Sequence, residues 1–449
     1  MRKNIFAIIL AFVAVTVNAQ NGINSPYSRY GFGLQSERAM GFNKGMGGVA
    51  QGFRNGHQIN VANPASYSEV DSLTALFDMG ISLQNGNFKM GNLQQNAKNS
   101  SLDYFAYQFR AAKNVGMTLG ILPVTNIKYN FASSSESLEG TEDVTSTYSF
   151  SGDGGLREVF LGAGWRPFKP ISIGFNVSYL WGEYNHKMSM AFSQSSAFSM
   201  ARIYSADIST YNVQGGIQYI QPINKKDKIV IGATATLGHN LANKAYRQTQ
   251  TLNSSTIETS TSDTIKNAFR LPHSIAVGAT YYNSNKLRIG ADIEYQKWST
   301  CKFPVQETSI STNTDKYVSK PGQLNNKIKY ALGLDYLPNS LSNSYFSRCT
   351  YKVGSYYSQS YAKADLSGTI KDKPYELGVS AGITFPIGNA NIYFKQNQPK
   401  INVAFQWVHT NIPYLNSATM RQSALTENYL KLCIGVTFSD RWFYKWKAQ

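Results

Sequence analysis

From about Leu73 onward, apolar residues alternate with small or polar residues at every second position, in one segment after another. In Leu287–Gln296, for example, one face carries Leu, Ile, Ala, Ile and Tyr, and the other carries Arg, Gly, Asp, Glu and Gln. Because successive side chains of a strand point to opposite faces, this period indicates sheets with one apolar and one polar face. The sequence therefore predicts an all-β fold.

The alternating segments are longer than the strands of about five or six residues that are common in soluble β-sandwiches. Strands that cross a membrane need roughly 9 to 11 residues, with the apolar face toward lipid and the polar face toward the lumen. We count about 14 segments of this kind, an even number as bacterial barrels require. They are Leu73–Asn85, Leu102–Ala112, Val115–Phe131, Thr145–Phe168, Ile171–Phe192, Ile203–Gln221, Lys228–Thr249, Leu271–Tyr282, Lys286–Thr300, Asn325–Leu337, Ser347–Tyr361, Tyr375–Ile387, Lys400–Thr410 and Asn428–Phe438.

The links between these segments alternate between short and long. Lys113-Asn114 and Lys169-Pro170 are short, whereas Gly86–Ser101 and Lys302–Leu324 are long and rich in Ser, Thr and Asn. Outer-membrane barrels have short periplasmic turns and longer extracellular loops in the same order. The pattern predicts a transmembrane antiparallel β-barrel of about 14 strands in the outer membrane of a Gram-negative cell, with both chain ends on the periplasmic side.

The N-terminus has the three regions of a secretory signal peptide. Two basic residues follow Met1, an apolar stretch runs from Ile5 to Val15, and small residues end at Ala19. We expect residues 1–19 to be removed. An exported chain of this pattern fits the outer membrane as its location.

A Gly-rich stretch without strand alternation lies between the signal and the first strand. A barrel of about 14 strands leaves a lumen, and such a segment could close it. We therefore expect residues 20–72 to form a plug inside a barrel of residues 73–449, although a periplasmic tail is the alternative.

Composition supports a membrane interface and argues against nucleic acid. Aromatic residues make up 13% of the chain and charged residues only 15%, and Tyr is suited to the headgroup region. The net charge of +17 comes from basic residues scattered singly rather than gathered in a stripe. We expect these residues to face outer-membrane lipid and lipopolysaccharide, to form a basic lumen, or simply to be solvated.

The sequence carries no motif of catalysis or of cofactor binding. A Gly-x-Ser-x-Gly elbow, a His-Glu-x-x-His helix and a Walker loop are all missing, and the five His form no cluster. Cys301, Cys349 and Cys433 are far apart and lack metal-ligand spacing, and the sequence cannot decide whether two of them form a disulfide. We therefore expect no enzymatic activity, no metal and no cofactor.

Within the plug, Asn63-Pro64-Ala65 predicts an extended or turn geometry whose Asn side chain can bond the backbone. An ordinary turn is the favoured interpretation over direct contact with a ligand. Gly47 and Gly48 permit tight backbone turns in a crowded lumen.

Apolar plug residues could line a ligand cavity or could simply pack the plug, and we favour packing. They are Phe32, Phe42, Met46 and Phe53.

On the barrel wall, Arg288, Asp292 and Glu294 face the lumen, where they would contact a headgroup or form an ion-pair network. Pro123 interrupts the third strand and removes one backbone N–H that would donate to a neighbouring strand. This predicts either a break in the wall or a harmless bulge.

Several motifs give the chain a resemblance to the FadL/TodX-type outer-membrane transporters of long-chain fatty acids and other hydrophobic compounds. The motifs are Arg38–Gly41, Gly45–Ala50 and Val61–Ser66, in the order signal peptide, Gly-rich plug, Asn-Pro-Ala and about 14 strands. The resemblance implies passive uptake of hydrophobic, fatty-acid-like small molecules through a plugged barrel, with a lateral opening at a kink in the third strand, near Pro123.

A related branch suggests a different role. The PorV-type subunits of type IX secretion are similar to the same family, and Ser25–Gly31 with Arg441–Phe443 looks like their broader relatives. That resemblance implies a non-transporting barrel that acts as a scaffold or client-binding subunit of a secretion or assembly machine, with protein partners. The sequence leaves the choice between uptake and scaffold open, together with the substrate, the oligomeric state and whether the plug is open or sealed.

Overall fold

A computed structural model of the chain describes residues 24–72, 74–90, 93–132, 136–137, 144–194, 197–253, 256–284, 286–309, 314–363, 373–387, 398–415 and 422–441. The expected signal peptide lies outside these residues. No helix among the described residues is long and apolar enough to cross a membrane.

Fourteen antiparallel strands, β1 to β14, form the wall of a closed barrel, and the last pairs with the first. The first six are β1 Thr74–Met90, β2 Leu93–Ala112, β3 in two segments, Val115–Pro123 and Thr125–Ala132, β4 Thr145–Phe168, β5 Ile171–Phe192 and β6 Ser199–Pro222. The other eight are β7 Asp227–Thr236, β8 Ser274–Asn283, β9 Leu287–Gln296, β10 Lys327–Tyr336, β11 Thr350–Gln359, β12 Tyr375–Pro386, β13 Lys400–Leu415 and β14 Gln422–Arg441. The predicted all-β, 14-stranded barrel is confirmed.

The two faces of the wall differ as the alternation requires. Phe175 and Leu332 are more than half exposed on the outside, whereas Gln218 and Thr280 are fully buried on the inside. An apolar exterior and a polar interior are the reverse of a soluble sandwich, and they match a barrel that faces hydrocarbon. The outer membrane is therefore the location of this chain.

The strands extend further outward than expected on one side of the barrel. β4 and β6 have 24 residues each, whereas β7, β8, β9 and β10 have 10 each. Gly86–Ser101, expected to be a long loop, is mostly paired strand. That prediction was wrong because ladder hydrogen bonds continue above the bilayer, where side chains on both faces are polar and alternation fades.

The seventh predicted strand, Lys228–Thr249, also differs from the structure. β7 ends at Thr236, and Lys244–Asn253 pairs instead with the outer part of β6 and with Thr256–Lys266. A second hairpin joins Phe303–Ser309 and Thr314–Lys320 within the link after β9. The first hairpin thus continues the sheet from the outer part of β6, and both hairpins belong to links between the short strands β7 to β10.

Residues 24–72 form an irregular plug inside the barrel, with only short regular elements. These elements are the two-residue strand Leu34–Gln35 and the 3-10 helices Pro26–Arg29, Lys44–Met46 and Pro64–Glu69. Two further 3-10 helices, Trp298–Thr300 and Phe346–Arg348, lie in the links after β9 and β10. The plug contributes much of the buried core of the protein.

Candidate functional site: the plug, the lumen and the break in β3

Asn63 makes three hydrogen bonds, two within the plug and one to the wall. Its Oδ1 accepts from the backbone N–H of Ala65 at 3.1 Å, which caps the 3-10 helix that begins at Pro64. Its Nδ2 donates to the carbonyl of Gln51 at 2.9 Å and to that of Ile217, in β6, at 3.3 Å. Asn63 and Ala65 are both fully buried. The Asn-Pro-Ala motif thus fixes the fold of the plug and its position against the wall.

Glycines on both sides bring the plug backbone close to the wall. Gly47 and Gly48 have φ values of +64° and +81°, a conformation that favours glycine, and the Gly47 N–H donates to Ser380 Oγ in β12 at 2.9 Å. On the wall, a Cβ added to Gly354 would lie 2.2 Å from the carbonyl carbon of Met46. These distances leave no space for a solute between the two backbones at this point.

The four apolar plug residues pack in three different places. Phe42 stacks on Phe53 with ring centroids 4.3 Å apart, and both are 1% exposed. Met46 is fully buried against the wall. Phe32 lies further outward, in an aromatic cluster whose other members are Tyr184, Phe269, Trp298, Phe303 and Tyr361.

Buried charges also hold the plug in place at its periplasmic end. The fully buried guanidinium of Arg54 donates to Glu69 at 2.7 Å and to Gln218 of β6 at 2.9 Å, and Arg166 of β4 lies 3.2 Å from the same Glu69 carboxylate. Burial raises the pKa of Glu69, but Arg54, Lys228 and Arg166 together outweigh burial and hold that pKa below its ordinary value. The carboxylate is therefore ionised and paired.

The wall residues expected to face the lumen do so, and each has a partner. Asp292 accepts the backbone N–H groups of Ala50 and Gln51 at 2.6 and 2.9 Å. Arg288 pairs with Asp335 of β10 at 2.6 Å, and Glu294 accepts from Gln296. The side chain of Asp292 therefore binds the plug itself.

A cavity of about 400 Å³ lies between the plug and the aromatic cluster. Its lining mixes apolar side chains with charged ones, and the charged residues come from the plug and from β9, β10, β12 and β14 among other elements. The charged residues include Glu37, Glu294, Lys327, Lys329, Glu376 and Lys431. Phe32 is part of the lining, whereas Phe42, Met46 and Phe53 are not. Within the described residues, no group of three or more His, Cys, Asp or Glu side chains could hold a metal ion.

The wall is broken in β3, directly after Pro123. Val124 separates the two segments of β3, and its N–H donates to Leu156 of β4 at 2.7 Å. Opposite the break, Gly154 and Gly155 of β4 have φ values of +126° and +121°. A Cβ on Gly155 would lie 2.4 Å from the carbonyl oxygen of Thr125. The break thus involves β4 as well, which Pro123 in the sequence does not indicate.

The inner segment of β3 pairs with β2 only up to Ile121, which lies opposite Phe105. Beyond that point, the outer segment of β3 pairs with β4 but not with β2. Cavity-lining residues Ile121, Leu122 and Pro123 lie at this place. The cavity therefore reaches the break in the wall.

The three cysteines, which the sequence left undecided, are free and buried. Arg54 and Glu69, which bind plug to wall, were not anticipated either. A signal for them existed, since a charged residue that is buried inside a plug needs a partner.

Solved structures of transporters have the same fold. The toluene transporter TbuX of Ralstonia pickettii matches with a TM-score of 0.56 and 14% identity, over 91% of this chain and 99% of that one. The toluene transporter TodX of P. putida matches with a TM-score of 0.58 and 12% identity, over 92% and 100%. A Pseudomonas aeruginosa FadL homologue gives 0.59 and 12%, over 93% and 99%.

These identities are low, so the likeness establishes a FadL/TodX-like barrel fold, as the motifs of the plug implied, and nothing finer. No curated protein matches the sequence. A family model does, over the whole length of the chain. That model is BamG, it covers residues 1–449, and the chain belongs to the BamG family.

Proposed function

We propose that this chain is a sealed outer-membrane barrel that serves as a subunit of the β-barrel assembly machinery, where it supports the complex or contacts its clients. The family name, BamG, points to that machinery. The protein acts through its surfaces rather than through its lumen, and it carries out no chemical reaction.

The observation that carries this proposal is the way the plug is fixed. Its main chain lies directly on wall glycines such as Gly354, and the buried Arg54 bonds both plug and wall. To move the plug would expose a buried charge and break many hydrogen bonds at once, and each broken buried pair costs several kcal/mol.

The charged cavity supports the same function. A pathway for a hydrophobic solute needs a mostly apolar lining with few polar groups. Lys327, Lys329 and Lys431 with Glu294 and Glu376 lie among the apolar residues of this lining, and an apolar molecule placed beside them would desolvate these charges.

The test is to purify the tagged full-length chain from native outer membranes in mild detergent. We expect it to elute in fixed stoichiometry with the central subunit of the assembly machinery. We also expect its depletion to lower the amounts of several unrelated outer-membrane barrels. A chain that elutes alone, and whose loss leaves those barrels unchanged, would contradict the proposal.

One observation favours a second candidate, the passive uptake of a hydrophobic small molecule. The cavity reaches Ile121, Leu122 and Pro123, where the ladder between β2 and β3 ends, so a lateral opening to the bilayer would lie there. Proteoliposomes with the full-length chain should then admit toluene or a fatty acid faster than empty vesicles, and Pro123→Val should reduce that rate. Equal rates for protein-containing and empty vesicles would count against uptake.

A further inference from the structure

The break in β3 leaves two strand edges that do not meet. β2 from Leu93 to Tyr104 is paired with β1 alone, and the outer segment of β3, Thr125–Ala132, is paired with β4. Among the described residues no ladder joins β2 to that outer segment. A strand edge without a neighbour presents a row of backbone donors and acceptors, which is the usual template for pairing with another strand.

The N-terminal part of the plug supplies a neighbour for the β3 edge. Leu34 and Gln35 pair antiparallel with Asn126 and Thr125. The Ser36 N–H donates to the Val124 carbonyl at 2.9 Å, which extends the same pairing by one residue. Residues from outside the wall thus complete the sheet at its broken strand.

The pairing continues outward through Ser25 and Ser28. The Ser25 N–H donates to the Lys128 carbonyl at 3.0 Å, and Ser28 Oγ accepts from the Lys128 N–H at 3.1 Å. Ser25 Oγ also donates to the Glu427 carboxylate of β14 at 2.8 Å. Residues 34–36 therefore pair with the edge as a short strand, and Ser25 and Ser28, at the 3-10 helix Pro26–Arg29, bond the same edge at Lys128.

Side-chain contacts make the edge of β3 specific for this plug segment. Phe32 enters the aromatic cluster, 5.2 Å from Phe269 between ring centroids, and is 1% exposed. Gly33 has a φ of +87°, and a Cβ there would lie 2.3 Å from the Asn126 carbonyl oxygen. Only glycine allows the segment to approach the edge so closely at this position.

We propose that the outer segment of β3 is an acceptor site for a short polypeptide strand, and that residues 34–36, anchored by residues 24–33, occupy this site in the free protein. Main-chain pairing supplies the affinity and a side-chain pocket supplies the specificity, as in other cases of strand addition. A partner strand would place a glycine at the position of Gly33, where a Cβ would meet the Asn126 carbonyl oxygen, and an aromatic side chain at the position of Phe32. This inference does not depend on the proposed assembly role, because it concerns only what binds the edge.

The experiment uses the full-length protein in detergent and a fluorescent synthetic peptide of residues 24–37. In the wild type, the attached segment should exclude the peptide. Gly33→Ala should displace the attached segment, because its Cβ would collide with Asn126, and peptide binding should rise at least about tenfold. The matched control is Gly322→Ala, since Gly322 also has a positive φ, +80°, but has no neighbour within 4 Å.

A second peptide, with proline at the positions of Leu34 and Ser36, lacks the donors of the pairing and should bind at least about tenfold more weakly. Equal binding of the two peptides would overturn the proposal, and so would a folded Gly33→Ala variant that binds neither.

Cross-linking keeps the proposal testable if Gly33→Ala does not fold. Cysteines in place of Leu34 and Asn126, which are directly paired, should form a disulfide in the folded chain, whereas cysteines in place of Leu34 and Asn130 should not. When the variant with cysteines in place of Leu34 and Asn126 is oxidised, it should exclude the peptide even in a more denaturing detergent. Reduction of the disulfide should allow the peptide to replace the attached segment again. Cross-linking of both pairs to the same extent would contradict a fixed register.

Discussion

The carbonyl oxygen of Gln51 lies against Gly232 of β7 so closely that a Cβ on the glycine would be 1.9 Å away from it. The plug and the wall meet here backbone to backbone, and the contact continues through Asn63, which donates to the same carbonyl.

Gly232→Ala should therefore destabilise the protein. Because neither backbone can move freely, we expect a loss of about 1–3 kcal/mol in the free energy of unfolding, as for other overpacked interiors. The measurement is the urea midpoint of the refolded protein in detergent. Gly215→Ala in the adjacent β6 is the control, because a Cβ there meets nothing within 4 Å. Equal midpoints for the two variants would show that the plug does not touch the wall at Gly232.

Arg54→Ala should be more damaging than the loss of an exposed ion pair. It leaves Glu69 without its buried partner, a change that costs about 3 kcal/mol or more in comparable cases. Lys320→Ala breaks an ion pair whose two side chains are about half exposed, and it should cost at most about 1 kcal/mol. Unfolding in urea compares the two. A similar small effect for both would mean that Arg54 does not fasten the plug.

The lowered pKa of Glu37 predicts how the free energy of unfolding depends on pH. Burial raises its pKa, but Lys329, Lys431 and Lys44 outweigh burial and lower that pKa from 4.5 to about 2. The folded state favours the ionised carboxylate more strongly than the unfolded state does. The stabilisation of the folded state by this carboxylate is therefore complete above pH 4.5. The contribution is lost as the pH falls from 4.5 toward 2.

Glu37→Gln should therefore reduce the fall of the urea midpoint between pH 4.5 and pH 2 and have its largest effect on stability at neutral pH. Glu307→Gln, in an exposed ion pair, is the control. A wild type and a Glu37→Gln variant with parallel pH profiles would refute this assignment.

Phe42→Ala tests whether the plug aromatics pack or bind a ligand. Because Phe42 is stacked on Phe53 and lies outside the cavity lining, its loss should lower the free energy of unfolding by about 3–5 kcal/mol with or without added hydrophobic compound. Phe168→Ala, at a residue that is 66% exposed, should change it little. A stabilising effect of toluene on the wild type that Phe42→Ala abolishes would instead point to a ligand site.

Much of the barrel could be predicted because apolar and polar residues alternate along its strands inside the bilayer. The bounds of Ile171–Phe192 and Thr145–Phe168 agree with the structure at both ends, since alternation and turn residues mark them clearly. Above the bilayer water satisfies both faces of a strand, so the segment Leu93–Ser101 carries no alternation and its pairing could not be predicted.

The candidate site was less predictable, because it depends on contacts between residues that are distant in sequence. Asn63, Gly47 and Gly48 could be found from local backbone chemistry. The bond from Arg54 to Gln218 and the pairing of Leu34 with Asn126 could not, since no local pattern specifies which strand a plug residue will meet.

The unequal strand lengths have a consequence for whatever approaches the cell from outside. At about 3.3 Å per residue, β4 and β6 are roughly 80 Å long, far more than the hydrocarbon layer requires, whereas β7 to β10 span little more than that layer. The rim of the barrel is therefore high along β4 to β6. Next to β6, the hairpin of Lys244–Asn253 and Thr256–Lys266 continues that rim above the short strands, so a large molecule outside the cell meets this exposed hairpin there and not the wall strands.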